Sequence, residues 1–138
     1  MARILSIDYG AKRTGLAVSD PLQIIATGLD TVATKDIFDY LQNYLEQEEV
    51  ECIVVGEPTH ADGNPTHLTP VIHDFVRKLK KLYPDKKYVF QDERFTSVEA
   101  KRIIRESGAK KKKRRDKSLV DKVSAVLILQ DYMESLRF

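Results

Sequence analysis

The stretch Cys52-Ile53-Val54-Val55-Gly56-Glu57-Pro58 decides the fold that we expect for this chain. Four consecutive apolar residues, followed directly by a glycine and later a proline, are typical of a short strand that is covered on both faces. Strands of that kind belong to parallel sheets, in which helices pack against each side of the sheet. Helices are therefore expected before and after this strand, with further strands beyond them.

The sequence that precedes this strand predicts one helix and, before the helix, three short strands. The strands are expected over residues 3–8, 14–18 and 23–32, with Gly28 as a candidate bulge. Because their connections are short, they should be sequential and antiparallel. Thr34 is a candidate N-cap for the helix, whose apolar residues recur at helical spacing. These apolar residues are Ile37, Phe38, Leu41, Tyr44 and Leu45.

The sequence that follows predicts a helix, a strand and two more helices. A helix runs from Thr69 as N-cap to about Leu82, with Ile72, Phe75, Leu79 and Leu82 facing inward, and a strand covers residues 88–90. The capping box Thr96-x-x-Glu99 opens a third helix that ends at Gly108, and Ser118 caps the last. The order β-β-β-α-β-α-β-α-α gives one five-stranded mixed sheet flanked by helices. This is the layout of the ribonuclease H-like fold, in a single α/β domain spanning residues 1–138.

Composition restricts the class of protein. The chain of 138 residues is 42% hydrophobic and 32% charged, which is ordinary for a globular domain. No apolar run reaches the roughly 18 residues that a bilayer span needs, and the N-terminus meets Asp8 too early for a signal peptide. The single cysteine, Cys52, excludes an internal disulfide and a multi-cysteine zinc site. A reducing cytoplasm is the expected location.

Positive charge is concentrated in one segment, which we call the basic segment. It contains seven basic residues and one acidic residue: Lys110, Lys111, Lys112, Lys113, Arg114, Arg115, Asp116 and Lys117. Removing them from the totals of 23 basic and 21 acidic residues leaves 16 and 20, a net charge of −4. Such an uneven distribution predicts a local contact with a polyanion, although a solvated loop has the same composition.

Five carboxylates are candidates for a catalytic site. Four of them lie at the C-terminal ends of predicted strands, and the fifth begins the last helix: Asp8, Glu57, Asp92, Glu93 and Asp121. Ligands of open α/β sheets bind outside the carboxyl ends of the strands. Acids gathered there repel one another unless cations bind among them, and Mg²⁺ or Mn²⁺ suits an all-oxygen ligand set. Two such ions would serve an in-line phosphodiester displacement.

Each candidate residue also has a purely structural interpretation. Asp8 is compatible with a turn-stabilising role before Tyr9-Gly10, and Glu57 with an exposed acid. Asp92 and Glu93 lie beside Arg94, so an ion pair is an alternative. Asp121 fits the spacing of a capping box that begins at Ser118, and without further evidence it would be a helix cap.

The remaining chemical groups give weaker signals. Lys12 and Arg13 follow the first strand and are candidates for phosphate contact or for a solvated turn. The three histidines, His60, His67 and His73, have no tight metal-ligand spacing and are expected at the surface or in loops. Cys52 should be inert core.

Four motifs, taken together and in order, resemble the YqgF family of pre-16S ribosomal RNA nucleases. The resemblance covers nearly the whole chain, and the combination is specific although each motif alone is weak. The motifs are Asp8-Tyr9-Gly10-x-Lys12-Arg13-x-Gly15-x-Ala17-Val18-Ser19-Asp20, Val55-Gly56-Glu57-Pro58 with Asp62-Gly63, Asp92-Glu93-Arg94-x-Thr96-Ser97-x-Glu99-Ala100, and Val120-Asp121-Lys122-x-Ser124-Ala125-Val126-Leu127-Ile128-Leu129.

The resemblance implies a cytoplasmic, metal-dependent nuclease that matures the 5′ end of 16S ribosomal RNA. Its catalytic and metal-binding acids would be Asp8, Glu93 and Asp121, with Asp92 and Glu57 as additional candidates. Glu57 is a departure, since many family members have an apolar residue there. Nucleic acid would be bound through Lys12, Arg13, Arg94 and the basic segment, which gives affinity for the phosphate backbone but little sequence information.

The sequence suggests three other functions. The family also resembles Holliday-junction resolvases, so branched DNA is an alternative substrate. The segment Asp8-x-Gly10 is similar to the first phosphate loop of actin-like kinases, but this chain has no room for their second lobe. A non-catalytic nucleic-acid-binding factor is the third alternative, and the candidate acids argue against it. The chain is expected to be a monomer or a weak homodimer.

Overall fold

The computed structural model describes residues 2–58, 66–92, 96–106 and 117–137. It contains five strands and four helices in these ranges. The strands are β1 (Arg3–Asp8), β2 (Arg13–Ser19), β3 (Ala26–Ala33), β4 (Val50–Glu57) and β5 (Lys87–Asp92). The helices are α1 (Ile37–Gln47), α2 (Thr69–Leu82), α3 (Thr96–Glu106) and α4 (Lys117–Ser135).

The strands form one mixed sheet in the order β3-β2-β1-β4-β5. β1, β2 and β3 are antiparallel neighbours, whereas β1, β4 and β5 run parallel. The three antiparallel strands and two parallel crossovers are those that the sequence predicts. The carboxyl ends of β1, β4 and β5 consequently meet at one edge of the sheet, which we call the carboxyl edge.

Two hydrophobic layers cover the sheet, one on each face. From Ile4 in β1 and Cys52 in β4 onward, odd-numbered residues, such as Leu5 and Ile53, pack with α1 and α2. Even-numbered residues, such as Ile4 and Val54, pack with α4. Burial on both faces explains the continuous apolar run in β4. Each fully buried aliphatic side chain stabilises the folded state by about 1.5–3 kcal/mol relative to an exposed one. Helix α3 lies against α4.

The bulge predicted at Gly28 is confirmed. Leu16 pairs with Asp30, whereas the next residue, Ala17, pairs with Gly28, so that Leu29 is the additional residue in β3. A Cβ on Gly28 would lie 2.8 Å from side-chain carbons of Lys122 in α4. The bulge thus lies where the last helix approaches the outermost strand.

The predicted helix caps at Thr34 and Ser118 are wrong, and for Thr34 the reason is a tertiary contact. Thr34 begins a single 3-10 turn, and α1 starts at Ile37. The Thr34 hydroxyl instead donates a hydrogen bond of 2.7 Å to the Gly10 carbonyl oxygen in the β1–β2 turn. Helix α4 starts at Lys117, which places Ser118 within the helix and not at its N-cap position.

The second helix starts at Thr69 itself, one residue earlier than a cap would require, and Leu82 at its end is 59% exposed rather than inward-facing. The third strand is shorter than predicted, because Gln23 has a φ of 59° and the Asp20 carboxylate accepts backbone hydrogen bonds from Ile24 and Ile25.

Within the described ranges, no helix combines the length and apolar character that a membrane crossing requires.

Candidate active site at the carboxyl edge

Three of the candidate acids lie together at the carboxyl edge. Asp8 is the last residue of β1, Glu57 of β4 and Asp92 of β5. Ile7 is paired with Val55, and Glu57 is paired with Asp92. The strand order therefore gathers these acids at the edge that the sequence predicts.

The same acids are divided between the two faces of the sheet. The buried Ser6 hydroxyl donates a hydrogen bond of 2.7 Å to the Ala125 carbonyl oxygen of α4. Because side chains alternate along a strand, Asp8 belongs to this α4 face. Glu57 lies on the opposite face, where its carboxylate accepts a hydrogen bond of 2.7 Å from the His73 imidazole of α2. Glu57 is thus directed away from Asp8.

Helix α4 brings Asp121 towards Asp8 through the space that Gly15 leaves open. Gly15 is the residue of β2 directly opposite Asp8. A Cβ on Gly15 would lie 2.2 Å from the Asp121 carbonyl oxygen and 3.2 Å from the Asp121 Cβ. Since directly opposite residues have Cβ atoms about 4.5–5.5 Å apart, the Cβ atoms of Asp8 and Asp121 lie within about 9 Å of each other. A glycine at this point of the strand is what allows the helix to approach.

The spacing along α4 and β1 places Asp121 above Asp8. Ala125 contacts Ser6, and Asp121 precedes Ala125 by four residues, or about 6 Å along a helix. Asp8 follows Ser6 by two residues, or about 6.6 Å along a strand. Because α4 runs antiparallel to β1, moving four residues back along α4 and two residues forward along β1 goes in the same direction. From the Ser6–Ala125 contact, these two moves arrive at Asp121 and Asp8.

The Asp121 carboxylate is bound by an arginine. Arg13 Nε lies 2.8 Å from Asp121 Oδ2, and the two side chains are 39% and 23% exposed. Arg13 precedes Gly15 by two residues in β2 and therefore shares its face of the sheet. The capping interpretation of Asp121 is wrong, since the first turn of α4 contains no acidic residue.

The turn between β1 and β2 is fixed by backbone contacts. A Cβ on Gly10 would lie 2.3 Å from the Arg13 carbonyl oxygen, so the turn tolerates only a glycine at this position. The Thr34 amide donates a hydrogen bond of 2.9 Å to the Lys12 carbonyl oxygen. Lys12 itself is exposed at the carboxyl edge.

Three residues among the weaker candidates lie where the sequence predicts. Cys52 is buried, its thiol donates to the Tyr132 hydroxyl at 3.8 Å, and burial raises the pKa of the thiol, which makes it a poor nucleophile. His67 and His73 are exposed, and the His73 ring stacks on Phe90 with ring centroids 4.3 Å apart.

The other candidates fall beyond the part of the chain that the structure describes. Glu93, Arg94, His60 and residues 110–115 of the basic segment belong to this group, while Lys117 is the first residue of α4. Within the described ranges, no three His, Cys, Asp or Glu side chains are close enough together to hold a metal ion.

Two contributors to this geometry were not identified from the sequence as site residues. Ser6 is a single hydroxyl in an apolar strand, and Gly15 is a glycine inside a strand. Both are signals of a close approach by another element, the first through a buried hydrogen bond and the second through the missing side chain.

Comparison with known proteins agrees with the predicted fold and family. The RuvX family model, described as Holliday junction resolvase, matches residues 2–135. A relative from Flavobacterium johnsoniae is 48% identical over 138 residues, covering 100% of both chains, and one from Bacteroides fragilis is 51% identical over 137 residues, covering 99% of both. Both relatives carry the name "Putative pre-16S rRNA nuclease".

A solved structure of the Fowlpox virus resolvase, in complex with Holliday junction DNA, has a similar fold. The TM-score is 0.60 at 15% identity, over 97% of this chain and 98% of the viral chain. The predicted ribonuclease H-like fold, the resemblance to the YqgF family and the nuclease class are thereby confirmed. Because the family match extends over almost the whole sequence, the chain belongs to the RuvX family.

Proposed function

We propose that this protein is a metal-dependent nuclease that hydrolyses phosphodiester bonds of structured RNA in the cytoplasm, at the 5′ end of the pre-16S ribosomal RNA. The observation that carries the proposal is the approach of Asp121 to Asp8 across Gly15. Two acids on separate rigid elements, at the edge where α/β proteins bind ligands, form the beginning of a cation site. The names of the relatives support the choice of RNA as substrate.

The donor set fits a hard divalent cation. Asp8 and Asp121 would hold Mg²⁺ or Mn²⁺ through carboxylate oxygens, with Glu93 as the third ligand that the family resemblance implies. Asp121 already pairs with a cationic group, the Arg13 guanidinium, which supports the proposal of a cation at this position. When bound, the metal would supply an activated water and stabilise the leaving oxygen.

The protein itself contributes rigidity and substrate contact. Asp8 is fixed at the end of a buried strand, and Asp121 is fixed by the packing of α4 on Gly15. Both acids are therefore held in place before the substrate arrives, which lowers the cost of ordering the site. Lys12, Arg94 and the basic segment would contact the phosphate backbone and hold the substrate across the edge.

Branched DNA is the second candidate substrate. It is favoured by the description of the RuvX family as Holliday junction resolvases and by the fold of the viral resolvase. The same two acids would act on either substrate, because phosphodiester hydrolysis needs the same groups in RNA and DNA. A cationic surface that contacts phosphates does not by itself distinguish the two.

The test is incubation of the protein with a pre-16S RNA fragment and with a four-way DNA junction, in parallel, with Mn²⁺, with Mg²⁺ or with chelator. We expect RNA cleavage that requires the metal, and cleavage of the junction alone would favour the second candidate. Asp8→Asn should abolish cleavage while substrate binding, followed by fluorescence anisotropy, is retained. Asp74→Asn is the matched control, since Asp74 is an exposed acid paired with Arg77 on α2. Cleavage by Asp8→Asn at the wild-type rate would refute the metal-ligand role.

A further inference from the structure

The ion pair between Arg13 and Asp121 involves one of the two carboxylates that would hold the proposed metal. The Arg13 guanidinium lies 2.8 Å from a carboxylate oxygen of Asp121, on the face of the sheet that carries Asp8. Arg13 and Asp121 belong to the first and the last of the four family motifs, but neither motif indicates that they contact each other. The contact joins residues that are 108 positions apart in the chain.

We propose that Arg13 serves as the built-in cation of this site in the metal-free protein, that the divalent metal displaces it, and that the released guanidinium then binds the substrate phosphate. This inference rests on the proposed nuclease function, and it assigns Arg13 a positioning role before metal binding. It differs from a simple phosphate contact because Arg13 and the metal compete for the same carboxylate.

The need for a cation follows from the burial of the acids. Asp121 is only 23% exposed, and a second carboxylate, Asp8, lies on the same face. Like charges in a partly dehydrated site raise the free energy of the fold unless a positive group lies between or beside them. A guanidinium carries one positive charge, whereas a divalent cation carries two and is able to bind several carboxylates at once, so the metal is the stronger partner.

The surroundings of Arg13 allow its side chain to leave without disturbing the backbone. The turn that precedes Arg13 is held by the hydrogen bonds from Thr34 to the carbonyl oxygens of Gly10 and Lys12. The Arg13 side chain, in contrast, is 39% exposed and is therefore open to water on one side. A guanidinium binds phosphate in a bidentate manner, so the displaced group has a partner as soon as a nucleic acid occupies the edge.

The experiment measures Mn²⁺ binding by calorimetry and thermal unfolding without metal, for the wild-type protein, Arg13→Gln and Arg13→Lys. Removing the competing charge should tighten Mn²⁺ binding by Arg13→Gln roughly five- to tenfold. The same variant should unfold about 3 °C lower in the absence of metal, because the Asp121 carboxylate loses its partner. Arg13→Lys keeps the charge and should have an intermediate Mn²⁺ affinity.

Arg77→Gln is the matched control, because it removes an exposed arginine from an ion pair on α2 and lowers the net charge equally. Its Mn²⁺ affinity should equal that of the wild-type protein. Unchanged or weakened Mn²⁺ binding by Arg13→Gln would overturn the competition and leave Arg13 as a structural support of Asp121. Failure of the proposed nuclease function would give a different result. Either the wild-type protein would bind no Mn²⁺, or the variants Asp8→Asn and Asp121→Asn would bind Mn²⁺ as tightly as the wild-type protein does.

Discussion

Gly15→Ala tests whether the close approach of α4 to β2 builds the candidate active site. The substitution adds one methyl group at the residue opposite Asp8. That methyl carbon would lie 2.2 Å from the carbonyl oxygen and 2.5 Å from the carbonyl carbon of Asp121. Both neighbours are backbone atoms, so no side-chain rotation relieves the overlap. The N-terminal part of α4 must therefore move away from the sheet.

The magnitude follows from these distances. Non-bonded carbon atoms lie about 3.5–4.0 Å apart at their optimal separation, so the helix has to shift by about 1 Å or more. Added methyl groups in packed interiors cost about 1–3 kcal/mol, and a clash with backbone lies at the upper end of that range. For a chain of this size, about 3 kcal/mol lowers the melting temperature by about 10 °C. A displacement of 1 Å at a catalytic group also reduces the rate by about 100-fold.

Gly28→Ala is the matched control for this experiment. Its added methyl group would lie 2.8 Å from carbons of the Lys122 side chain and 3.6 Å from the Val126 Cγ2. A lysine side chain is flexible and moves aside, so the cost should stay below about 1 kcal/mol. Both variants are compared by urea unfolding, Mn²⁺ calorimetry and cleavage rate. Equal stability of the two variants, or wild-type Mn²⁺ affinity in Gly15→Ala, would refute the placement of Asp121 against β2.

Two further predictions concern groups outside the Asp8–Asp121 pair. Glu57→Leu should change the cleavage rate less than about twofold, because the Glu57 carboxylate pairs with His73 on the opposite face of the sheet; a complete loss of cleavage would assign Glu57 to the metal site. Replacing Lys111, Lys112, Arg114 and Arg115 by glutamine should weaken nucleic-acid binding and reduce the log–log salt slope by about 0.9 for each lost duplex contact, measured by anisotropy over a salt series. An unchanged slope would show that these side chains do not touch phosphate.

The sheet could be predicted from the sequence because its signals are local. Short turns fix the antiparallel order of β1, β2 and β3, and the apolar run of β4 requires cover on both faces. The position of Asp8 at the carboxyl edge follows from the strand end alone. The family resemblance favoured Asp121 as a partner of Asp8, whereas its local pattern alone indicated a helix cap.

The face of the sheet on which each acid lies was harder to predict, for a physical reason. Strands β1 and β4 are buried on both sides, which removes the alternation of apolar and polar residues that would reveal which way each side chain points. The separation of Asp8 from Glu57 therefore becomes visible only when α2 and α4 are in place. The same holds for Thr34, whose hydroxyl has the chemistry of a helix cap but bonds to Gly10 across the fold.

The hydroxyl of Ser6 explains how two elements of different periodicity are kept in register at the site. Each step of two residues along β1 is about 6.6 Å, and each step of four residues along α4 is about 6 Å, so the two drift apart by about 0.6 Å per step. Register is therefore retained only close to a fixed contact. The buried bond from Ser6 to the Ala125 carbonyl oxygen lies one step from Asp8 and Asp121, near enough for the drift to stay small. A polar side chain in an otherwise apolar part of the strand is thus the contact that holds the two acids opposite each other.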